Sequence, residues 1–253
     1  MQIGLIGCGN MARALARGWG RPVLCADPVG QRARDLAAEV GGEALDGNAA
    51  VAERADVVVL CHKPAQLRSV AEEVAPKAAA VASILAATSL DALRDAYPGK
   101  PVYRFMPSLP VEVRQGAVVQ SAGGGGADAS QDAAVSELFA ELGTLVVLDD
   151  SLLDVAMGLM SCGPAYVALV AEAQIDAGVR RGVPAAQGAE LVVQTLAGTA
   201  ELLRRRDNDT MAVRREVSSP GGLTARGVDA LERGGVRAAF SAALDAVLQD
   251  GRG

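Results

Sequence analysis

The sequence predicts an α/β protein in which a domain with a mostly parallel sheet precedes an all-helical domain. Two observations support this class. Through the first half of the chain, short runs that are apolar throughout alternate with helical patterns, as in a parallel sheet covered by helices on both faces. From Ser151 onward the apolar residues recur with helical periodicity, and no run has the character of a strand.

The first half contains the predicted strands in order along the chain: QIGLIG, PVLCAD, DVVVLC, AVASILAA and PVYRFM. Between them lie Asn10–Trp19, GQRARDLAAEV and PAQLRSVAEEV, whose apolar spacing is that of amphipathic helices. A glycine-rich stretch, residues 121–130, is predicted to be a hairpin or a loop in the same domain, because TLVVLDD after it has the pattern of a further strand.

Helical segments fill the second half: LLDVAMGLM, AYVALVAEAQIDAGVRRG, AAQGAELVVQTLAGTAELLRRR and VRAAFSAALDAVLQ. The change from strands to helices falls near residues 149–151. We therefore predict two domains, a sheet domain over residues 1–150 and a helical domain over residues 151–253.

Composition and charge exclude several function classes. The net charge of -6 and the acidic pI argue against a general nucleic-acid surface. The longest uncharged run, residues 155–171, is shorter than a spanning helix of about 20 apolar residues and is interrupted by glycine and proline, so we expect no membrane association. The N-terminal residues lack the basic segment of a secretory signal, and we expect a reducing, cytoplasmic location.

The sequence indicates neither a metal site nor a disulfide framework. The cysteines are scattered along the chain without a Cys-x-x-Cys pair, and His62 is the single histidine. Because a metal site needs several such ligands close together, we expect none.

The first predicted strand leads into the turn GLIGCGNMA, which places Gly7, Gly9 and Ala12 in a G-x-G-x-x-A pattern at the head of a helix. The first glycine permits a tight turn, the second lets the backbone approach a pyrophosphate, and the small third residue lets helix and strand pack closely. The N–H groups at the start of the helix stabilise the negative charge of a bound phosphate. The pattern predicts a Rossmann-like dinucleotide-binding domain in which Asn10 and Met11 complete the cofactor turn.

Asp27 ends the second predicted strand, 20 residues after Gly7, where an acidic side chain would meet the 2′-hydroxyl of a ribose. Its charge favours NADH because it repels the 2′-phosphate of NADPH. Arg32 and Arg34, about one turn later, carry the opposite charge. The sequence therefore predicts a nicotinamide dinucleotide and leaves open whether it is NADPH or NADH.

The segment LCHKPAQL includes the end of the strand DVVVLC, and a loop at the carboxyl end of a parallel strand lies beside the ligand crevice. We predict that Lys63 and Pro64 in this loop bind the cofactor, although Lys63 could also contact substrate or remain in solvent. His62 is a candidate proton donor. A lone histidine at a strand end is more often packed than catalytic, and we prefer that interpretation.

Near the end of the chain, SSPGGLTARG has the pattern of a helix start. Pro220 suits a first helical turn, and Gly221 and Gly222 leave backbone N–H groups uncovered, which attracts anions. Because SSPGGLT contains no cationic side chain, the site would suit a small carboxylate better than a polyphosphate, and Thr224 adds a hydroxyl within reach. An ordinary helix-capping turn is the alternative interpretation.

The chain resembles pyrroline-5-carboxylate reductases over nearly its whole length, and the likeness rests on four parts of the sequence. They are IGLIGCGNMA, DVVVLCHKPAQL, YRFMPSLPVEVRQGA and a late pair, CGPAYVALVAEAQIDAGVRRGVPAAQGAELVVQTLAGTAELL with EVSSPGGLTARGVDALERGG. The late pair is the most specific. The resemblance implies a Rossmann domain and a helical domain that interleaves with that of a partner to form a homodimer, and it leaves a larger assembly of dimers open.

The resemblance also implies a reaction. Enzymes of this family reduce the cyclic imine 1-pyrroline-5-carboxylate to L-proline with NADPH or NADH, which is a step of proline biosynthesis. The substrate carboxylate is implied to dock on backbone N–H groups of SPGGLT, and Thr224 matches the catalytic threonine whose hydroxyl lies near the ring nitrogen. The implied substrate-binding residues are Ser219, Gly221, Gly222, Leu223 and Thr224.

The chain departs from the family pattern at three places. The usual MPNTP is MPSLP here, the usual SGSGPAY is MSCGPAY, and the usual His-Pro pair before the late motif is replaced by Thr210-Met211. These changes leave two alternatives, a paralogue that reduces another small cyclic imine acid and a non-catalytic dinucleotide-binding sensor. A hydroxyacid enzyme would need a catalytic lysine or histidine in the helical domain, and none follows Ser151.

Overall fold

A computed structural model describes residues 1–126 and 129–250, without the side chain of Asp250. The described strands are β1 (Ile3–Ile6), β2 (Leu24–Ala26), β3 (Glu43–Ala44), β4 (Val57–Leu60), β5 (Val81–Ser83), β6 (Val102–Pro107), β7 (Gly116–Ser121) and β8 (Gly143–Leu148). The described helices are α1 (Asn10–Trp19), α2 (Gly30–Val40), α3 (Asn48–Arg54), α4 (Leu67–Val74), α5 (Leu90–Ala96), α6 (Ala129–Ala140), α7 (Leu153–Met160), α8 (Gly163–Val179), α9 (Ala185–Arg204), α10 (Thr210–Glu216), α11 (Leu223–Arg233) and α12 (Val236–Asp250).

The strands form one sheet in the order β3-β2-β1-β4-β5-β6-β7-β8. Neighbouring strands are parallel except for β6 and β7, which pair antiparallel. The predicted fold class, a Rossmann-like and mostly parallel sheet followed by helices, is therefore confirmed. The strand order reverses between β1 and β4, and in such sheets ligands bind beyond the carboxyl ends of the strands at this switch point.

Both faces of the sheet are buried, which explains why its central strands are apolar throughout. Leu5 of β1 and Val59 of β4 pack on one face with residues of α1, α2 and α6. Val58 and Leu60 of β4 pack on the opposite face with residues of α3, α4 and α5. Because successive side chains of a strand point to opposite faces, a strand covered twice needs an apolar residue at every position.

Trp19, at the end of α1, fixes this helix to the far end of the domain. The side chain is buried, and its indole N–H donates a hydrogen bond to the Leu138 carbonyl oxygen at 2.8 Å. Its ring meets the edge of Phe139, whose own ring stacks on Phe105 with the centroids 3.8 Å apart. These contacts join α1, α6 and β6 in one core, although the chain has few aromatic residues.

The glycine-rich stretch after β7 is a loop and not a hairpin, so the hairpin alternative was wrong. The strand after it, β8, runs parallel to β7, and α6 forms the crossover that a parallel pair requires. Residues 127–128 of this stretch lie outside the described residues. Several elements were not predicted from the sequence: β3, β7, α3, α5, α6 and α10.

The chain divides into two compact units, residues 1–164 and the helices from residue 165 onward. The predicted boundary after residue 150 therefore falls inside the first unit. The difference arises because α7 packs on the sheet instead of joining the later helices. Its contacts there involve Met106, Val119, Leu153 and Ala156.

The second unit buries little of its own apolar surface. Among the described residues from 165 to 249, only Gly188 and Val213 are buried. Large apolar side chains are exposed on several helices: Val167, Leu169, Val179, Leu191, Val193, Leu202, Met211, Leu223, Leu231 and Phe240. Monomeric proteins rarely expose so much apolar surface, and such surfaces mark interfaces with other molecules.

One described helical stretch has the length and composition of a membrane span. It covers Asp150–Val179, 30 residues with a mean hydropathy of 1.5, and 17% of its most apolar window is buried. The stretch is interrupted between α7 and α8. This finding concerns only the length and composition of the stretch. That the protein does not associate with a membrane remains an expectation.

Candidate functional site

The turn after β1 lies at the switch point of the sheet and needs its first glycine. Gly7 has a φ of +92°, and a Cβ atom there would lie 2.8 Å from the Cys61 carbonyl oxygen and 2.9 Å from the His62 nitrogen. Conformation and space therefore both exclude a side chain. The space beside Gly9 is open where a Cβ would stand, and Ala12 is buried in the core of the sheet domain.

The start of α1 is free to bind an anion. No side chain caps the helix, and the N–H groups of Asn10 and Met11 hydrogen-bond to no described residue. Uncapped N–H groups at a helix N-terminus attract phosphate charge. The turn thus fits the pyrophosphate of a dinucleotide, and the assignment of its five predicted residues to the cofactor stays a prediction.

Asp27 directly follows β2, and its carboxylate joins two backbone segments. Oδ2 accepts a hydrogen bond from the Cys8 N–H at 2.8 Å, and Oδ1 accepts one from the Val29 N–H at 2.8 Å. Each carboxylate oxygen has a second lone pair, so Asp27 can still accept hydrogen bonds from ribose hydroxyls. The position fits the predicted ribose contact, which stays a prediction.

The loop after β4 lies beside the glycine turn through the contact of Gly7 with Cys61 and His62. In this loop the Lys63 N–H donates to Gln66 Oε1 at 3.2 Å, and the side chains of Lys63 and Pro64 are exposed. The Lys63 ammonium group forms no ion pair within the described part of the chain. Both residues are accessible to a cofactor, and their role stays a prediction.

A cavity of about 260 Å³ in the first unit connects these loops. Its walls include Met11 of the predicted turn and Cys61 and His62 of the loop after β4. They also include three residues that the sequence did not predict as site residues: Ile84, Met106 and Ser161. Ligand pockets usually have volumes of about 300 to 1,000 Å³, so this cavity suits one ring of a ligand better than a whole dinucleotide.

His62 is neutral in this environment. Burial lowers the pKa of its imidazole, and a hydrogen bond between Nδ1 and the Lys63 carbonyl oxygen at 2.9 Å opposes that change in part. A carbonyl oxygen only accepts, so Nδ1 carries the proton and Nε2 carries a lone pair. Nε2 is buried and has no hydrogen-bond partner among the described residues. The geometry supports the packed interpretation of His62, because the ring has no mobile proton to donate.

An ion cluster around the buried Arg104 holds α7 against the sheet and was not predicted from the sequence. Arg104 of β6 is 2% exposed, and its guanidinium contacts Asp150 Oδ1 at 3.0 Å and Asp154 Oδ1 at 2.8 Å. Asp150 also accepts hydrogen bonds from the Leu90 N–H and the Ser121 hydroxyl. Desolvation opposes ionisation of Asp150, but these donors and Arg104 together lower its pKa. The cluster therefore stabilises the end of the first unit.

The segment Ser218–Thr224 presents backbone N–H groups as predicted, although its helix begins later than expected. Pro220 lies in a turn, and α11 begins at Leu223, because Gly221 adopts a φ of +70° that interrupts the helix. The N–H groups of Gly221, Leu223 and Thr224 hydrogen-bond to no described residue. The Leu223 side chain is 81% exposed, and Thr224 is exposed as well.

The predicted site residues thus form two groups. The glycine turn, Asp27 and the loop after β4 come together in the first unit. The substrate-binding set, which includes Ser219 and Gly222, lies in the second unit. Within residues 1–126 and 129–250, no group of three or more His, Cys, Asp or Glu side chains could hold a metal ion.

Comparison with known proteins also divides the chain into two parts, with a change near residue 150. Residues 150–253 match the family described as pyrroline-5-carboxylate reductase dimerisation, and residues 2–87 match the family described as NADP oxidoreductase coenzyme F420-dependent. The pyrroline-5-carboxylate reductase of Thermus thermophilus is 35% identical over 261 residues, which cover 99% of this chain and 97% of that protein. The chain belongs to the pyrroline-5-carboxylate reductase family.

Solved structures of this family have the same fold. The 1-pyrroline-5-carboxylate reductase of Streptococcus pyogenes is 26% identical, covers 100% of this chain and 98% of its own, and superposes with a TM-score of 0.89. The pyrroline carboxylate reductase of Plasmodium falciparum, solved with NADP bound, is 24% identical with a TM-score of 0.86 over 100% of this chain and 97% of its own. The latter likeness shows the fold alone.

Two departures of this chain from the family pattern meet in the structure. Ser161, in MSCGPAY, donates its hydroxyl hydrogen bond to the carbonyl oxygen of Pro107, in MPSLP, at 3.0 Å. Ser108, also in MPSLP, is buried, and its Oγ accepts a hydrogen bond from the Ala117 N–H at 2.9 Å. In this reductase family member, both changed segments therefore border the cavity of the first unit and join β6 to its neighbours.

Proposed function

We propose that the chain reduces 1-pyrroline-5-carboxylate to L-proline, with NADPH or NADH as the hydride donor, as a step of proline biosynthesis. One observation supports this most directly: α11 begins with N–H groups that hydrogen-bond to no described residue, in an exposed segment that contains no cationic side chain. Such a helix start suits a small carboxylate. The first unit independently offers the glycine turn, the free start of α1 and Asp27 for a dinucleotide.

Each group of residues has a distinct task in this reaction. Gly7 and Gly9 let the backbone approach the pyrophosphate, while Lys63 and Pro64 border the same crevice. The N–H groups of the SPGGLT segment hold the carboxylate of the imine acid. When bound, the nicotinamide supplies a hydride to the imine carbon.

The Thr224 hydroxyl lies beside the ring nitrogen of the substrate in this proposal and helps to keep the imine protonated, which makes its carbon electrophilic. Positioning by backbone groups supplies much of the remaining rate enhancement. In this proposal the apolar walls of the cavity in the first unit, including Met11 and Met106, exclude water from the nicotinamide ring.

We also propose that the active enzyme is a cytoplasmic homodimer. The second unit buries only two of its described residues up to 249, so its exposed apolar helices need a partner. We leave open whether dimers associate further.

The test of the proposed function is oxidation of NADPH or NADH by the purified chain, measured by absorbance with pyrroline and piperideine carboxylates as alternative substrates. We expect turnover that depends on the five-membered imine. Faster turnover of the six-membered ring would favour the paralogue, and no imine-dependent oxidation with either cofactor would contradict an enzymatic function and favour a dinucleotide sensor.

Replacing the hydroxyl tests the role of Thr224. We expect Thr224→Ala to lower kcat at least about tenfold, because the variant loses the hydroxyl that stabilises the protonated ring nitrogen, and a hydrogen bond to a charged group contributes about 1.5–3 kcal/mol. Thr224→Ser keeps the hydroxyl and should retain most of the activity. Both variants should fold normally because the side chain is exposed. Equal kcat values for Thr224→Ala and the unaltered enzyme would remove Thr224 from the catalytic residues.

A further inference from the structure

We propose that this reductase uses NADH in preference to NADPH and that Asp27 sets the preference. The inference rests on the proposed function, because it concerns the cofactor of that reaction. The sequence alone leaves the choice open, since Arg32 and Arg34 follow the acidic residue closely. The hydrogen bonds of Asp27 indicate that its negative charge, and not the positive charge of the two arginines, determines which cofactor binds more tightly.

The Asp27 carboxylate is held in place from two sides. The Cys8 N–H belongs to the glycine turn, and the Val29 N–H belongs to the connection that leads into α2. With both oxygens bound to backbone at 2.8 Å, the carboxylate cannot turn away from an approaching phosphate without losing both hydrogen bonds.

The same contacts fill the place where an extra phosphate would bind. A 2′-phosphate needs N–H donors or cations beside the ribose, and the start of a helix after β2 is a natural source of such donors. Here the Val29 N–H, just before α2, already donates to Asp27. The protein's own carboxylate therefore occupies this anion site, while its remaining lone pairs suit the neutral hydroxyls of NADH.

The nearby arginines do not offset this charge. Arg34 directs Nε and Nη2 to Gln31 Oε1 at 3.3 and 3.0 Å, and both Arg32 and Arg34 are exposed on α2. Exposed charges on flexible side chains are screened by salt and cost entropy to fix in one position. The partly buried, anchored carboxylate consequently has the larger effect on a phosphate bound beside it.

The decisive experiment measures Kd values of NADH and NADPH for the full-length chain by calorimetry without imine, together with kcat/KM for both cofactors. We expect NADH to bind at least tenfold more tightly. Asp27→Asn removes the charge with little change in shape and should reduce the Kd ratio at least tenfold. The matched control is Asp35→Asn, the same charge change on the exposed face of α2, which should leave the ratio unchanged.

Several results would overturn the inference. They are equal or tighter binding of NADPH by the unaltered chain, an equal shift in Asp35→Asn, and a loss of NADPH binding in Arg32→Ala or Arg34→Ala that exceeds the gain in Asp27→Asn. If Asp27→Asn does not fold, the Kd ratio of the unaltered chain and the Kd ratios of the two arginine variants still test the inference. A strong NADH preference in binding without imine-dependent oxidation would sink the proposed reaction and leave the role of Asp27 standing.

Discussion

At the residue scale, the chemistry available to His62 follows from one hydrogen bond. Nδ1 donates to the carbonyl oxygen of Lys63, which leaves Nε2 with a lone pair and no proton. Burial lowers the pKa of the ring below its ordinary value of 6.5, so the neutral form predominates above that pH. A residue that looks like a proton donor in the sequence thus acts as a neutral wall of the cavity.

We therefore expect His62→Asn to keep kcat within about threefold of the unaltered enzyme, because the amide N–H₂ can replace the Nδ1–H donor. The pH dependence of kcat at neutral and alkaline pH should have the same shape in both proteins, because the lowered pKa of His62 favours the neutral ring there. Loss of an inflection from the profile of the variant would show instead that His62 takes part in proton transfer.

At the scale of elements, Arg104 joins β6 to Asp150 and to Asp154 of α7 within the first compact unit. Its guanidinium is almost fully buried, whereas the Asp150 and Asp154 side chains are 27% and 46% exposed. This difference makes the cluster asymmetric. Removing the arginine leaves two carboxylates that water can reach, but removing the carboxylates leaves a buried cation without a counter-charge, which is much more costly.

We predict that the double variant Asp150→Asn/Asp154→Asn lowers the free energy of unfolding by about 3 kcal/mol, while Arg104→Met lowers it by only about 1 kcal/mol. Urea unfolding followed by circular dichroism, at one protein concentration, measures both. Similar losses in the two variants would mean that the cluster is solvated in solution and not buried.

The same cluster makes stability depend on acidity. The folded-state pKa of Asp150 is lowered below its ordinary value of 3.8, so its stabilising contribution is complete above that value and is lost as pH falls through the lower folded value. The unaltered chain should therefore lose more stability on acidification from pH 5 to 3 than Arg104→Met does.

The sequence predicts elements well where burial is simple. Strands β1 and β4 are covered on both faces and are continuous apolar runs, so their positions and parallel arrangement could be inferred. The two residues Glu43–Ala44 form a strand because the Glu43 N–H donates a hydrogen bond to the Val23 carbonyl oxygen. A strand of two residues is too short to show a periodic pattern in the sequence. Short elements of this kind are visible only in three dimensions.

The candidate site shows the same limit. Gly7 was predicted because its conformation is a local requirement of the turn. The contacts of Arg104 with Asp150 and Asp154 join residues 46 and 50 positions apart, and no local pattern links them. Met106 and Ser161 likewise reach the cavity through the packing of β6 and α7, and the sequence indicates only that each lies in a motif that departs from the family pattern.

At the scale of the whole molecule, the second unit is a set of helices without a core of its own. Leu191 and Val193 of α9 are two residues apart, so they lie on nearly opposite sides of the helix, and both are more than half exposed. A helix that is apolar around much of its circumference must be buried on several sides. A second copy of the chain, as the matched dimerisation family implies, is the partner we propose for this surface.

We expect Leu191→Glu to raise the dissociation constant of the dimer at least about tenfold, because an unpaired charge in an apolar interface is costly. Sedimentation velocity over a range of protein concentrations measures the change. Glu190→Gln, a charge change of the same size at the neighbouring exposed position of α9, is the matched control and should leave the dimer intact. A monomeric unaltered chain would contradict the proposed assembly.

The position of Trp19 has a practical consequence. It is the single tryptophan of the chain, and it is buried in the first compact unit at the end of the helix that starts in the glycine turn. Tryptophan fluorescence, excited where tyrosine does not absorb, therefore reports on that unit alone and not on the helices beyond residue 165. Indole emission overlaps the absorption of reduced nicotinamides, so a bound cofactor should quench the fluorescence of Trp19. This quenching would measure the fraction of the protein that has cofactor bound at the glycine turn, even in variants that have lost all turnover.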